Sequence, residues 1–266
     1  MQYDPIKDVF SNTMDLFPQL RKLFFMMLDT ILLRQRYVKK YINKYLPPDQ
    51  DTRFYDAGAG FCQYSDYVMK RFPQSRVFAV DLKTDYLSAY HYALDSKLKQ
   101  RFSFKAADLQ DFRPTYSYDM VVAIDIMEHI EDDISTLQNF MYCLKPGGRL
   151  IISTPSDTDE AAKFTAEHVR PGYNKSELEA KLQNCGFEIE DSIYSYGFWG
   201  KLAWQMMIKK PLTWIGVSKY NLAFLPFYYL LILPLSLLFM NLDLRGTNKT
   251  GTGIIVVAKK PENWII

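Results

Sequence analysis

The residues of this chain best suited to chemistry stand at the ends of short apolar runs. "DAGAGFC", Asp56 to Cys62, follows "RFY". Gly58 and Gly60 let a backbone approach a ligand closely, and Asp56 sets a carboxylate beside them. Gln63 stands where a dinucleotide fingerprint GxGxxG needs its third glycine, and GxxxxGK[ST] is absent, so neither phosphate-binding pattern is complete. Asp81 ends "RVFAVDL" 21 residues after Gly60, and Asp108 ends "FSFKAADL". "DIMEH" places Asp125, Glu128 and His129 at i, i+3 and i+4. On a helix these three share one face. "AEHVRPGYNKSEL" contributes Glu167, His168, Arg170 and Tyr173. His168 is a candidate general base, because imidazole titrates near neutrality; its alternative is a structural loop histidine. His91, in "YHYAL", and Tyr64 read as packing residues.

These residues need elements to hold them. Apolar residues recur at helical spacing from Leu20 to Leu46, and "PPD" at 47–49 ends that region. Strand and helix signals then alternate. Strands are expected in "RFYDAG", "RVFAVDL", "FSFKAADL", "YDMVVAID", "RLIISTP" and "FEIEDSIYS". Helices are expected in "QYSDYVMKRF", "TDYLSAYHYALDSKL", "EDDISTLQNFMYCLK" and "NKSELEAKLQNCG", and "GTGIIVVAKK" is a last strand. Such alternation implies an α/β fold with a doubly wound, mostly parallel sheet. Loops at the carboxyl ends of its strands then form the site.

Composition agrees. The chain has 266 residues, a net charge of +2, 48% hydrophobic and 23% charged residues, as a globular protein does. Cys62, Cys143 and Cys185 are far apart, which indicates neither a disulfide framework nor a zinc site. "MQYDPIKDVF" would not serve as a secretory signal, so a reducing cytoplasm is the expected compartment.

In order, these motifs resemble those of the class I S-adenosylmethionine-dependent methyltransferases. Asp56, Gly58 and Gly60 match the family's acid-x-Gly-x-Gly-x-Gly, with Cys62 in place of the last glycine. "AVDL", "AADL", "YDMVVAIDIMEHI" and "LKPGGRLIISTP" follow in register over residues 53–155. The resemblance implies a seven-stranded Rossmann-like sheet with an antiparallel last strand. It implies S-adenosylmethionine as cofactor, bound by Asp56, Gly58, Gly60, Asp81, Leu82, Asp108, Leu109 and Asp125. Asp81 would accept the ribose hydroxyls, Asp108 the adenine amino group, and Asp56 would pair with the methionine ammonium. Glu128, His129 and His168 are the implied catalytic residues. "DIMEH" is also similar to the acid-x-x-Glu-His cluster that binds magnesium in some quinone-biosynthesis O-methyltransferases. It makes Asp125, Glu128 and His129 a candidate Mg2+ site; the alternative is a pair that shapes the cofactor pocket without metal. "DIMEHI" lacks the Asn/Asp-Pro-Pro-aromatic motif of nucleic-acid methyltransferases, so no nucleic acid is expected.

Residues 197–250 break the strand–helix rhythm. No acid occurs from Ser192 to Leu242, and 23 residues between Lys219 and Asp243 carry no charge. The run is long enough to cross a bilayer. However, strands of one sheet flank it, so both its ends lie on one side of the membrane. Pro226 and Pro234 should each kink or break a helix, so two short helical pieces bent back on each other are expected. Trp199, Trp204 and Trp214 suit the headgroup level, and the lysines suit anionic lipid. The expectation is a membrane-contacting insertion. A buried substrate lid or a homodimer surface are the other readings.

The expected organisation is an N-terminal helical cap (1–50), a core (51–196), the insertion (197–250) and a final core strand (251–266). The expected function is methyl transfer from S-adenosylmethionine to a lipophilic small molecule, at a hydroxyl oxygen, by a cytoplasmic protein peripherally bound to the membrane. The alternative is a degenerate methyltransferase fold that binds or regulates a membrane complex.

Overall fold

The computed structural model describes residues 18–158 and 169–264. Seven strands form one sheet in the order β3-β2-β1-β4-β5-β7-β6. They are β1 (Arg53–Ala57), β2 (Arg76–Asp81), β3 (Phe102–Ala106), β4 (Tyr118–Ile124), β5 (Leu144–Pro155), β6 (Glu188–Ser195) and β7 (Gly253–Lys259). Strands β1 to β5 pair in parallel, and β7 pairs antiparallel with both β5 and β6. The sheet is therefore of the expected kind.

Alternate residues of each strand feed two apolar layers. Phe54, Val77, Met120 and Val122 join one cluster, and Tyr55, Val80, Val121 and Ala123 join the other. The first is covered by α2 (Leu33–Tyr45), α3 (Gln63–Arg71) and α4 (Thr84–Ala93), and the second by α6 (Asp133–Cys143) and α7 (Lys175–Asn184). Burial on both faces is why the strands are apolar runs rather than alternating ones.

Two helical expectations are corrected. The amphipathic stretch is two helices, α1 (Pro18–Ile31) and α2, because Leu32 takes an extended conformation (φ −97°, ψ 109°) between them. The stretch "TDYLSAYHYALDSKL" also divides. Asp95 caps a four-residue helix α5 (Ser96–Lys99) by accepting from the backbone of Lys97 and Leu98, a favoured N-cap arrangement.

The insertion is a helical hairpin. Helix α8 (Phe198–Trp204), a π-turn (Gln205–Lys209) and α9 (Lys210–Val217) run out, a 3-10 stretch (Lys219–Phe224) turns, and α10 (Leu225–Arg245) returns. The arms are joined by Tyr228 Oη to Met206 O and Tyr229 Oη to Met207 O, each 2.7 Å. Trp199 stacks on Phe239 and Trp214 packs edge-on to Tyr228. The expectation that Pro226 and Pro234 break the run is wrong. Pro226 falls in the first turn, where its missing N–H costs nothing. Pro234 lies inside one 21-residue helix, which continues through it.

Candidate active site

A cavity of about 460 Å3 opens at the carboxyl ends of β1, β2 and β4. Its floor is the glycine turn after β1. Gly58 and Gly60 have φ of +75° and +50°, a region that favours glycine. A Cβ on Gly58 would lie 2.7 Å from Ile126 Cγ1, whereas one on Gly60 would meet nothing within 4 Å. The second glycine thus keeps bare backbone facing open space.

Asp81 and Asp108 line the cavity, as do their neighbours Leu82 and Leu109. Both acids also hold turns. Asp81 accepts the Gly60 N–H on Oδ2 at 2.8 Å and the Lys83 N–H on Oδ1 at 3.0 Å. Each oxygen keeps lone-pair capacity, so the carboxylate can accept a pair of vicinal hydroxyls while fixed in place. Asp108 accepts the Gln110 N–H at 3.0 Å. Turn-holding and ligand-facing roles coexist in these residues.

Arg34 forms an ion pair with Asp125 at the other end. Both line the cavity with His129. Arg34 enters because the break at Leu32 turns the start of α2 inward, where the Arg34 backbone N–H meets Tyr196 Oη at 3.1 Å. A guanidinium beside a carboxylate complements the carboxylate and ammonium of an amino acid. In the sequence Arg34 is one of seven basic residues between Leu20 and Leu46. The signal that it faces the site is the helix break, which periodicity did not show.

Asp125, Glu128 and His129 do not converge, and the Mg2+ reading is corrected. Asp125 has φ +49° and lies outside helix; only Met127–His129 form a 3-10 turn. Spacing i, i+3, i+4 therefore gives no common face. Glu128 is buried and accepts Thr154 Oγ1 at 3.1 Å. Burial pushes its carboxyl up, against the pull of His129, Thr154 and Arg34. Among the described residues no group of three or more His, Cys, Asp and Glu could hold a metal ion.

Asp56 lies beneath the turn and is not among the lining residues. Its Oδ2 accepts Ser65 N–H at 3.1 Å and Ser65 Oγ at 2.7 Å. Burial lifts its carboxyl to about 6, against those two bonds and helped by the charge of Asp81. Tyr64 is buried in the core, and His91 stacks near Phe102 and Phe104. His168 and Glu167 lie outside the described residues. The nearby chain is anchored, since Val169 N–H donates to Glu128 O at 3.0 Å and Arg170 Nη1 to Met127 O at 3.1 Å.

The roof is apolar. Phe24 and Leu28 of α1, with Leu32, face the glycine turn, and Phe24 packs edge-on to Phe61 at 5.5 Å. The residues fit S-adenosylmethionine: Asp81 for the ribose, Asp108 for the adenine, Gly58 and Gly60 for close approach, and Arg34 with Asp125 for the amino-acid end.

A methyltransferase-domain family model matches residues 55–150. Trans-aconitate 2-methyltransferase of Rhodopseudomonas palustris is 26% identical over 124 residues, 47% of this chain and 46% of that protein. Ubiquinone biosynthesis O-methyltransferase of Xanthomonas axonopodis is 26% identical over 167 residues, 57% of this chain and 69% of that one. The match thus spans less than half of the trans-aconitate enzyme. Among solved structures, a phosphoethanolamine N-methyltransferase of Haemonchus contortus, in complex with S-adenosyl-L-methionine, has a TM-score of 0.56 at 18% identity, covering 85% of this chain and 52% of that one. An S-adenosylmethionine-dependent methyltransferase from Mesorhizobium loti has a TM-score of 0.55 at 16% identity, covering 85% and 99%. These structural likenesses bear on the fold. With the strand order, the turn after β1 and the acids at the ends of β2 and after β3, residues 55–150 form a methyltransferase domain whose fold and motif order are those of the class I S-adenosylmethionine-dependent enzymes.

Proposed function

We propose that this protein transfers a methyl group from S-adenosylmethionine to a hydroxyl oxygen of a lipophilic small molecule, at the cytoplasmic face of a membrane. The observation that carries the reading is the apolar roof over an acid-ended nucleoside pocket, in a molecule whose hairpin is apolar on its outer side. Phe227, Leu230, Leu231, Leu235 and Leu238 of α10 are all exposed, where a helix of a soluble protein turns polar residues outward. β6 and β7 are neighbours, so the hairpin leaves and re-enters the body on one side and dips into a leaflet without crossing. The three cysteines are free and buried, which suits a reducing compartment.

The cofactor, when bound, supplies a methyl group already activated on a sulfonium. The chain then has two tasks, alignment and removal of the acceptor proton. Asp81, Asp108, Arg34 and Asp125 set the cofactor's position. His129 lines the cavity and would accept the hydroxyl proton as the methyl passes from the sulfonium, left as a thioether, to the oxygen. Glu128, its buried neighbour in the chain, is held by Thr154. Of the relatives' named substrates, a quinone precursor matches better than aconitate. Among the described residues, three acids and one arginine line the cavity, which disfavours a polycarboxylate.

Calorimetry with S-adenosylhomocysteine tests the cofactor site. The intact protein should bind, and Asp81→Asn should weaken binding at least about tenfold, as loss of charge-assisted bonds does. Failure of the intact protein to bind at millimolar ligand would sink the proposal. Incubation of a total lipid extract with labelled cofactor tests the acceptor. Label should enter a lipid; label only in water-soluble acids overturns the lipophilic reading.

A further inference from the structure

We infer that the outer face of α1 is a second bilayer contact and that the acceptor enters the cavity beneath this helix; the inference rests on the membrane reading of the hairpin. Helix α1 carries a broad apolar surface that runs from the cavity round to its outer side. Phe24 and Leu28 line the cavity. Leu20, Leu23, Met26 and Met27, spaced i, i+3, i+6 and i+7, are 39%, 60%, 57% and 40% exposed. A cap helix of a soluble protein would be polar there. So, among the described residues, the helix over the pocket joins the apolar cavity lining to an exposed apolar side.

The helix is fastened near its ends. Arg21 Nη1 donates to Ala89 O at 3.1 Å, and Asp29 pairs with Lys39 of α2. The extended Leu32 follows and can act as a hinge. Among the described residues, the contacts between these ties are side-chain packing, which lets α1 lift over an entering apolar molecule.

Helix α1 and the hairpin pack into one apolar layer on the same side of the sheet. Phe25 belongs to the same apolar cluster as Ala203, Met207 and Met240 of the hairpin, with Leu28 and Ile31 packed against it. Leu33, just past the break, meets Gly200 of α8, where a Cβ would lie 2.8 Å from Leu33 Cδ2. The charge identifies the occupant as an anionic leaflet. Lys209 and Lys210 are exposed on the hairpin. Lys40 reaches Leu244 O at 3.2 Å, beside Arg245 at the hairpin base. A second copy, packed on the same face by two-fold symmetry, would bring these cations together. Anionic headgroups neutralise them.

The native cysteines are all buried, so an environment-sensitive fluorophore can be placed on one introduced thiol. We would label Leu23→Cys on α1, Leu231→Cys on the hairpin, and Tyr116→Cys, exposed near the amino ends of the strands, as reference. With vesicles of phosphatidylglycerol and phosphatidylcholine, the labels at 23 and 231 should brighten and shift blue, and the label at 116 should not. A response at 231 without one at 23 overturns this inference and leaves the proposed function standing. A response at 23 that rises with protein concentration and needs no vesicles assigns the face to a second copy and also overturns it. Silence at both sites, with S-adenosylhomocysteine still bound, removes the membrane from both readings. For the entry route, Leu23→Asp should leave S-adenosylhomocysteine affinity within twofold. It should cut label transfer into vesicle lipid about tenfold, with the label at 231 still responding. Undiminished transfer overturns the route.

Discussion

Asp56 and Asp81 are two acids of one turn with opposite surroundings. Asp81 stands half-exposed at the cavity wall, with a backbone N–H on each oxygen. Asp56 is enclosed, and burial holds its carboxyl at about 6 where 3.8 is ordinary. Between those values the folded chain binds more proton than the unfolded one, so stability falls as pH rises through this window. Asp56→Asn keeps an oxygen for Ser65 and does not titrate. Its stability relative to wild type should therefore rise by roughly 1–3 kcal/mol between pH 4 and 7.5, a shift of about one to two pKa units. Urea unfolding at the two pH values measures this, and a difference that does not change with pH refutes it. Residue identity and strand-end position were enough to find Asp81 and Asp108 in the sequence. Arg34 was not found, because nothing local shows that Leu32 leaves the helix.

At the scale of elements, the hairpin is pinned by one buried carboxylate. Asp243 is fully buried. Its Oδ2 accepts the Gly200 N–H at 2.9 Å, and Tyr37 Oη of α2 lies 2.7 Å from Oδ1. Burial first, and the Asp243 charge second, push the Tyr37 phenol far above its usual range, so it stays a donor. Tyr37→Phe leaves that carboxylate short of a partner, at a cost of about 1–3 kcal/mol. The loss is local. Protease cleavage within 197–250 should become several-fold faster, while S-adenosylhomocysteine affinity stays within twofold. Unchanged cleavage would show that Tyr37 does not hold the hairpin. Elements were legible where burial sets a period or a run, as in the seven strands. They were misjudged where a single backbone conformation intervenes: an extended Leu32, a positive φ at Asp125, and a Pro234 that its helix tolerates.

For the whole molecule, the sheet and the hairpin do separable work. Phe227, Leu230 and Leu231 are 72%, 75% and 75% exposed, so replacing all three by Ser should leave folding and S-adenosylhomocysteine binding intact. Flotation with anionic vesicles should fall from most of the protein to little of it. If the triple variant floats as wild type does, the outward stripe is not the docking face.

The amino-acid sequence by itself determined the sheet, the glycine turn and the acids after β2 and β3, because each depends on short-range chemistry: runs that bury on both faces, and turns that follow them. It also determined that residues 197–242 are oily and free of acid. Only the tertiary structure decided which way these residues face. It paired Arg34 with Asp125, separated Glu128 from the would-be metal cluster, sank Asp56 beneath its turn, and laid α1 over the cavity with an apolar surface that continues onto its exposed side. Side-chain direction at a helix break or a positive-φ residue is set by packing with distant segments, and that information is spread over the chain.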